Sequence, residues 1–197
     1  MVKYRICKGG VSMKSVKGKV LKLVSLIVMS IFLVIWVYPF SPVSVYENIN
    51  YTTDSDRVRI HTEYLNNLQK LYDESSPDDV TTIVLQNISF SIFEQDWLVK
   101  NDTFKMNKDE LARMLMGMRN ARDGLLKLTM HEEYSWEQRN DLLMNIENVI
   151  AMEELIEDIM DDHWEDRTVL KRQFFNLHGA YTSSLILFNT FYRSTQR

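Results

Sequence analysis

The stretch Leu23–Phe40, LVSLIVMSIFLVIWVYPF, constrains this chain more than any other. It carries no charge, and the first acid in the whole sequence is Glu47. At 1.5 Å per residue a helix of this length reaches about 27 Å, close to the roughly 30 Å hydrocarbon core of a bilayer. The sequence therefore predicts one transmembrane helix over 23–40. Leu23, Ile27, Ile31 and Ile35 lie along its apolar body, with Trp36 and Tyr38 near its outer end, where aromatic side chains favour the membrane interface. A cleaved signal peptide fits less well. Its apolar region is shorter, about 7–15 residues, and ends in a small-x-small site, whereas Phe40-Ser41-Pro42-Val43-Ser44 follows here.

The helix divides two regions of opposite charge. Residues 1–22 contain seven Lys and Arg and no acid. The remainder holds all 27 acids against the other sixteen basic residues, a net charge of −11. No Lys or Arg occurs between Lys22 and Arg57. Under the positive-inside rule this places the basic tail in the cytoplasm and the acidic part outside it. So acidic a region would repel nucleic-acid phosphates, which argues against that class of partner. The only cysteine, Cys7, falls in the tail, so the exported part must be held by packing alone. Met13 is a second candidate start, because Lys8-Gly9-Gly10-Val11 can be encoded as a bacterial ribosome-binding sequence shortly before it.

Residues 41–53 read as an extended linker, and 54–197 as one helical domain large enough for its own core. Thr53 or Asp54 caps a first helix running to about Asp73, with Tyr64, Leu65, Leu68 and Tyr72 on one stripe. Ser75-Ser76-Pro77-Asp78-Asp79 starts a second helix to about Lys100, although the alternation of Ile88, Phe90 and Ile92 resembles a strand. Asn107 with Glu110, and Ser135 with Gln138, form capping-box patterns before two further helices. The last helix spans about Asp166–Arg193, and its uncharged run Gln173–Tyr192 is too rich in polar side chains for a second membrane span. It reads instead as the central buried helix, with His178 a hydrogen-bonded core residue and Trp97, Trp136 and Trp164 as lids over the core. The final two helices are long and joined by a short polar turn, so an antiparallel hairpin is expected. The expected fold is all-α: a membrane helix followed by an extracytoplasmic bundle of four or five helices.

Chemistry is sparse. Glu154, Asp158 and Asp161 fall on one helical face with Glu157 and His163 nearby, a set that could hold a divalent cation. Leu155, Ile156, Ile159 and Met160 between them favour an outward-facing acidic surface. No Gly-x-Ser-x-Gly elbow, Glu-x-x-His pair or phosphate-cradling glycine loop is present, and no cofactor is implied. Met114, Met116 and Met118 offer an adaptable contact face, although Met114 and Met118 also fit ordinary core. The function expected is that of a non-enzymatic interaction or sensor-accessory protein of the bacterial envelope, anchored in the cell membrane and binding another envelope protein, a peptide or a second copy of itself. The alternative is a metal-binding protein or metal-dependent enzyme using Glu154 to His163.

Overall fold

The computed structural model describes residues 13–42, 44, 47–75, 79–130 and 134–196. The tail up to Ser12 and the Ser76-Pro77-Asp78 start signal lie outside them. The described part is mostly helical. Helix α1 (Met13–Val37) contains the apolar run, and its stretch Lys19–Val37 is long and apolar enough to cross a membrane. Leu23, Ile27, Ile31 and Trp36 are exposed, while Ile35 and Tyr38 are half-buried toward its end. The helix stops at Val37 rather than running to Phe40, and Phe40 and Ser41 are buried in the domain core instead.

The expected linker departs most from the structure. Strand β1 (Asn48–Thr52) lies within it and pairs antiparallel with β2 (Thr103–Asn107). The domain is therefore not all-α. Alternation sets the register: Ile49 faces Met106 and Tyr51 faces Phe104 on the core side, while Thr52 and Thr103 share a hydroxyl hydrogen bond of 2.9 Å. The two strands are far apart in sequence, so no local turn announces them.

Between the strands come α2 (Ser55–Asp73), α3 (Val80–Ile92) and the single turn α4 (Asp96–Val99). Asp54 caps α2, its carboxylate accepting from the amides of Asp56 and Arg57. Asp79 caps α3, its carboxylate accepting from the Thr82 amide at 2.8 Å. The expected second helix does not reach Lys100: the chain leaves the helix at Phe93 and turns through Gln95 into α4. Its strand-like alternation did not produce a strand, because Leu85, Ile88 and Ile92 at helical spacing face the core and Phe90 faces out.

Helix α5 (Lys108–Leu128) is capped by Asn107, whose side chain accepts from the Glu110 amide at 2.8 Å. Glu110 pairs with Arg113 rather than reaching back, so only half of that capping box forms. Both halves form at Ser135 and Gln138, the start of α6 (Trp136–Asp161). Helix α7 (Arg167–Thr195), capped by Asp166, is the centre of the core. Leu170, Phe174, Leu177, Tyr181, Leu185 and Phe188 are fully buried along it, each such side chain contributing about 1.5–3 kcal/mol relative to exposure. Gln138 donates to the Ser194 carbonyl and Asn145 to the Leu187 carbonyl, so the start of α6 meets the end of α7. On another side Asn189 donates to the Tyr64 carbonyl of α2. Of the tryptophans expected as lids, Trp97 is buried, but Trp136 and Trp164 are exposed.

Candidate functional site

A cleft of about 580 Å³ lies between the α3–α4 turn, β2 and the first turns of α5. Its position follows from local chemistry. Gln95 begins α4 without capping it, and its Oε1 accepts instead from the Trp97 indole N–H at 2.8 Å. The Thr53 hydroxyl donates to the Trp97 carbonyl at 3.1 Å, fixing this turn to the end of β1. Asn107 then closes β2 by capping α5, which presents Glu110, Arg113 and Met114 along one wall.

Phe104, Lys105 and Met106 all line the cleft. Consecutive strand residues point to opposite faces, so a cleft touched by all three runs along the strand's edge. In a two-stranded sheet that edge of β2 is the one β1 does not use. Apolar surface comes from Trp97, Phe104, Met106 and Met114, and charge from Asp96, Lys105, Glu110 and Arg113. Asp96 pairs with Lys100 and Glu110 with Arg113, while Lys105 has no ion-pair partner among the described residues. Peptide-like amides at an open edge, an aromatic and thioether floor and a mixed rim suit an extended polypeptide.

Behind Trp97 lies a buried group of aromatic and titratable side chains. The Trp97 ring meets His178 at 5.5 Å, Tyr181 at 5.2 Å and Tyr51 at 6.3 Å, between ring centroids. His61 stands 6.0 Å from His178. The Phe93 carbonyl, 2.9 Å from His61 Nε2, can only accept. The neutral His61 ring therefore carries its proton on Nε2, and its Nδ1 lies 3.2 Å from the oxygen of the Thr182 hydroxyl, which donates to the His178 carbonyl at 3.1 Å. His178 is fully buried, but neither ring nitrogen has a hydrogen-bond partner among the described residues. This corrects the expectation of a hydrogen-bonded core histidine: aromatic rings, not acceptors, surround it. Burial, the neighbouring His61 and the Arg57 cation push its pKa down to about 4, and burial likewise lowers that of His61.

Arg57 approaches from α2, donating to the Phe175 carbonyl at 2.9 Å with its guanidinium 3.4 Å from the Phe175 ring centre. Gly179 makes that approach possible, since a Cβ there would lie 2.7 Å from Arg57 Nη1.

The acidic face of α6 points outward, as the apolar residues between its acids imply, and the alternative reading of it as a metal site finds no cluster to rest on among the described residues. Glu154, Asp158 and Asp161 are exposed. Glu157 accepts from Arg119 at 2.5 Å, and His163 Nδ1 lies 2.5 Å from the Asp161 carbonyl. Among the described residues no group of three or more His, Cys, Asp or Glu side chains is arranged to hold a metal ion. The consequential acid is Glu153, which sequence reasoning passed over. It is buried and accepts from Arg122 Nη1 at 2.6 Å, with Arg119 Nε at 3.9 Å, clipping α6 to α5. Burial raises its pKa, and the two guanidinium groups offset only part of that rise. One signal was available: Glu153 is four residues after Val149 and three before Ile156, inside the apolar stripe.

Of the methionines, Met118 is core, Met116 is exposed, and Met114 is buried yet forms part of the cleft wall. No protein-family model matches this chain, and neither curated proteins nor solved structures give a match.

Proposed function

We propose that this chain is a single-pass binding protein of the bacterial cell membrane that acts without catalysis. Its N-terminus faces the cytoplasm, and its helical domain, ending in the long antiparallel hairpin of α6 and α7, stands on the extracytoplasmic side. The uncovered apolar surface of α1 and the one-sided run of basic residues before it support that topology. The partner is an extended segment of another envelope protein. It adds as a third strand to β2 and sets an apolar side chain against Trp97, Met106 and Met114. The cleft along the unpaired edge of β2 is the observation that carries this reading. Backbone pairing supplies attraction with little regard to sequence, and the apolar floor selects the side chain.

A photoreactive side chain placed at Lys105 of the full-length protein in cells tests it, with the exposed Glu147 on α6 as the control position. A discrete heavier adduct from position 105, absent from 147, is expected. No adduct at 105, or the same adducts from both positions, would overturn the reading. An adduct of twice the chain mass would name a second copy as the occupant.

A further inference from the structure

Helix α1 does not hand over to a free linker. Arg167, the first residue of α7, donates from Nε to the Trp36 carbonyl at 2.7 Å and from Nη1 to the Asn48 carbonyl at 3.2 Å. One guanidinium thus ties the end of α1, the start of β1 and the start of α7 together. Phe40 is buried in the core, with Lys108 Nζ 5.8 Å from its ring centre. The Tyr38 ring packs edge-on against Trp164, in the α6–α7 turn, at 5.9 Å. That turn is therefore fixed beside the outer end of α1.

Two indoles at this junction are left open, Trp36 at 71% and Trp164 at 60% of full exposure. Large exposed aromatic surface is costly in water, and tryptophan, apolar in body with a polar N–H, is most at home in the headgroup layer of a bilayer. The level is right. The stretch Lys19–Val37 ends one residue after Trp36, and its rise of about 27 Å accounts for most of the roughly 30 Å hydrocarbon thickness.

We propose that the α6–α7 turn is itself a lipid-contact surface, with Trp164 seated beside Trp36 in the outer headgroup layer so that the domain rests on the membrane. This rests on the reading of α1 as a membrane span. The carboxylates of Asp162 and Glu165 flank Trp164, so the surface that fits is zwitterionic, such as phosphatidylcholine, rather than anionic.

The test uses the full chain in phosphatidylcholine nanodiscs with lipids brominated near the headgroup end of their acyl chains. Trp97, which is buried, stays in every variant as a common background. Three double variants then report in turn on Trp164 (W36F/W136F), Trp136 (W36F/W164F) and Trp36 (W136F/W164F). Trp136 is the internal control: it is 80% exposed, but it starts α6, the helix that ends just before the turn holding Trp164. Fluorescence of Trp164 should be quenched several-fold more than that of Trp136 and should emit at shorter wavelength. Quenching of Trp36 with Trp164 behaving like Trp136 would overturn the lipid contact and leave the span standing. Quenching of neither Trp36 nor Trp164 would overturn the span and the contact together.

Discussion

Glu153 and His178 are both titratable and both buried, on neighbouring helices, yet their surroundings treat them oppositely. Glu153 keeps its charge close to two guanidinium groups, one of them only 32% exposed. His178 is enclosed by the rings of His61 and Trp97 and meets no acceptor among the described residues. The first is a partly compensated acid, with one oxygen bonded and Oε1 without a partner among the described residues, and the second is a ring used for its shape. A buried ionisable group therefore does not by itself mark chemistry. Its partners decide whether it holds charge.

Removing the compensation should give the largest effect. Arg122→Ala leaves Glu153 buried with its closest counter-ion gone, and should destabilise the chain by about 3 kcal/mol, whereas Glu153→Met should cost under about 1 kcal/mol because the arginines can turn to solvent. Thermal melting of the detergent-solubilised protein measures both. Equal losses would show that Glu153 acts by packing alone.

Acid should reach the other region next. His178 has its folded pKa lowered from 6.5 to about 4. The unfolded chain therefore takes up the proton first, and the stability that the neutral ring contributes is complete above the unfolded value. It is lost as the pH falls from 6.5 toward 4. His178→Phe keeps an apolar ring without the nitrogens, so its melting temperature should fall less over that window than the wild type's. Parallel pH profiles would refute the comparison.

Gly179→Ala tests the rim of the same region: pushing the Arg57 guanidinium off the Phe175 carbonyl costs about 1 kcal/mol, alanine's better helix propensity inside α7 returns a similar amount, and the melting temperature should change little. The smallest effect belongs to the exposed neighbours of Glu153. Glu154→Ala and Asp158→Ala should each stay within about 0.5 kcal/mol in the same melts.

The helices were legible because their signals are local. Asp54, Ser135 and Asp166 cap where side-chain chemistry says they should, and the stripe through Leu170, Phe174 and Leu177 reports its own burial. The sheet was not legible, because pairing Asn48–Thr52 with Thr103–Asn107 joins segments with no turn between them. The cleft inherits that difficulty: its walls come from separate elements, and Trp97, Glu110 and Met114 had drawn notice singly, as a lid, a capping residue and a contact face, never as one site. Acid spacing pointed to the outward face of α6, where Glu154 and Asp158 meet water, while the inward Glu153 needed α5 in view before its role could appear.

The triple tie made by Arg167 also restricts how the domain can meet anything. A domain on a slack tether sweeps a wide shell and samples partners at any height; one bolted at its base does not. Asn48, which Arg167 holds, sits opposite Asn107 in the sheet, so that end of β2 lies close to the end of α1. With α1 in a bilayer, the open strand edge is carried at a fixed, low altitude above the lipid. On the proposed reading, encounters there would be a search in two dimensions, in which neighbours confined to the same membrane have an effective concentration that soluble proteins lack.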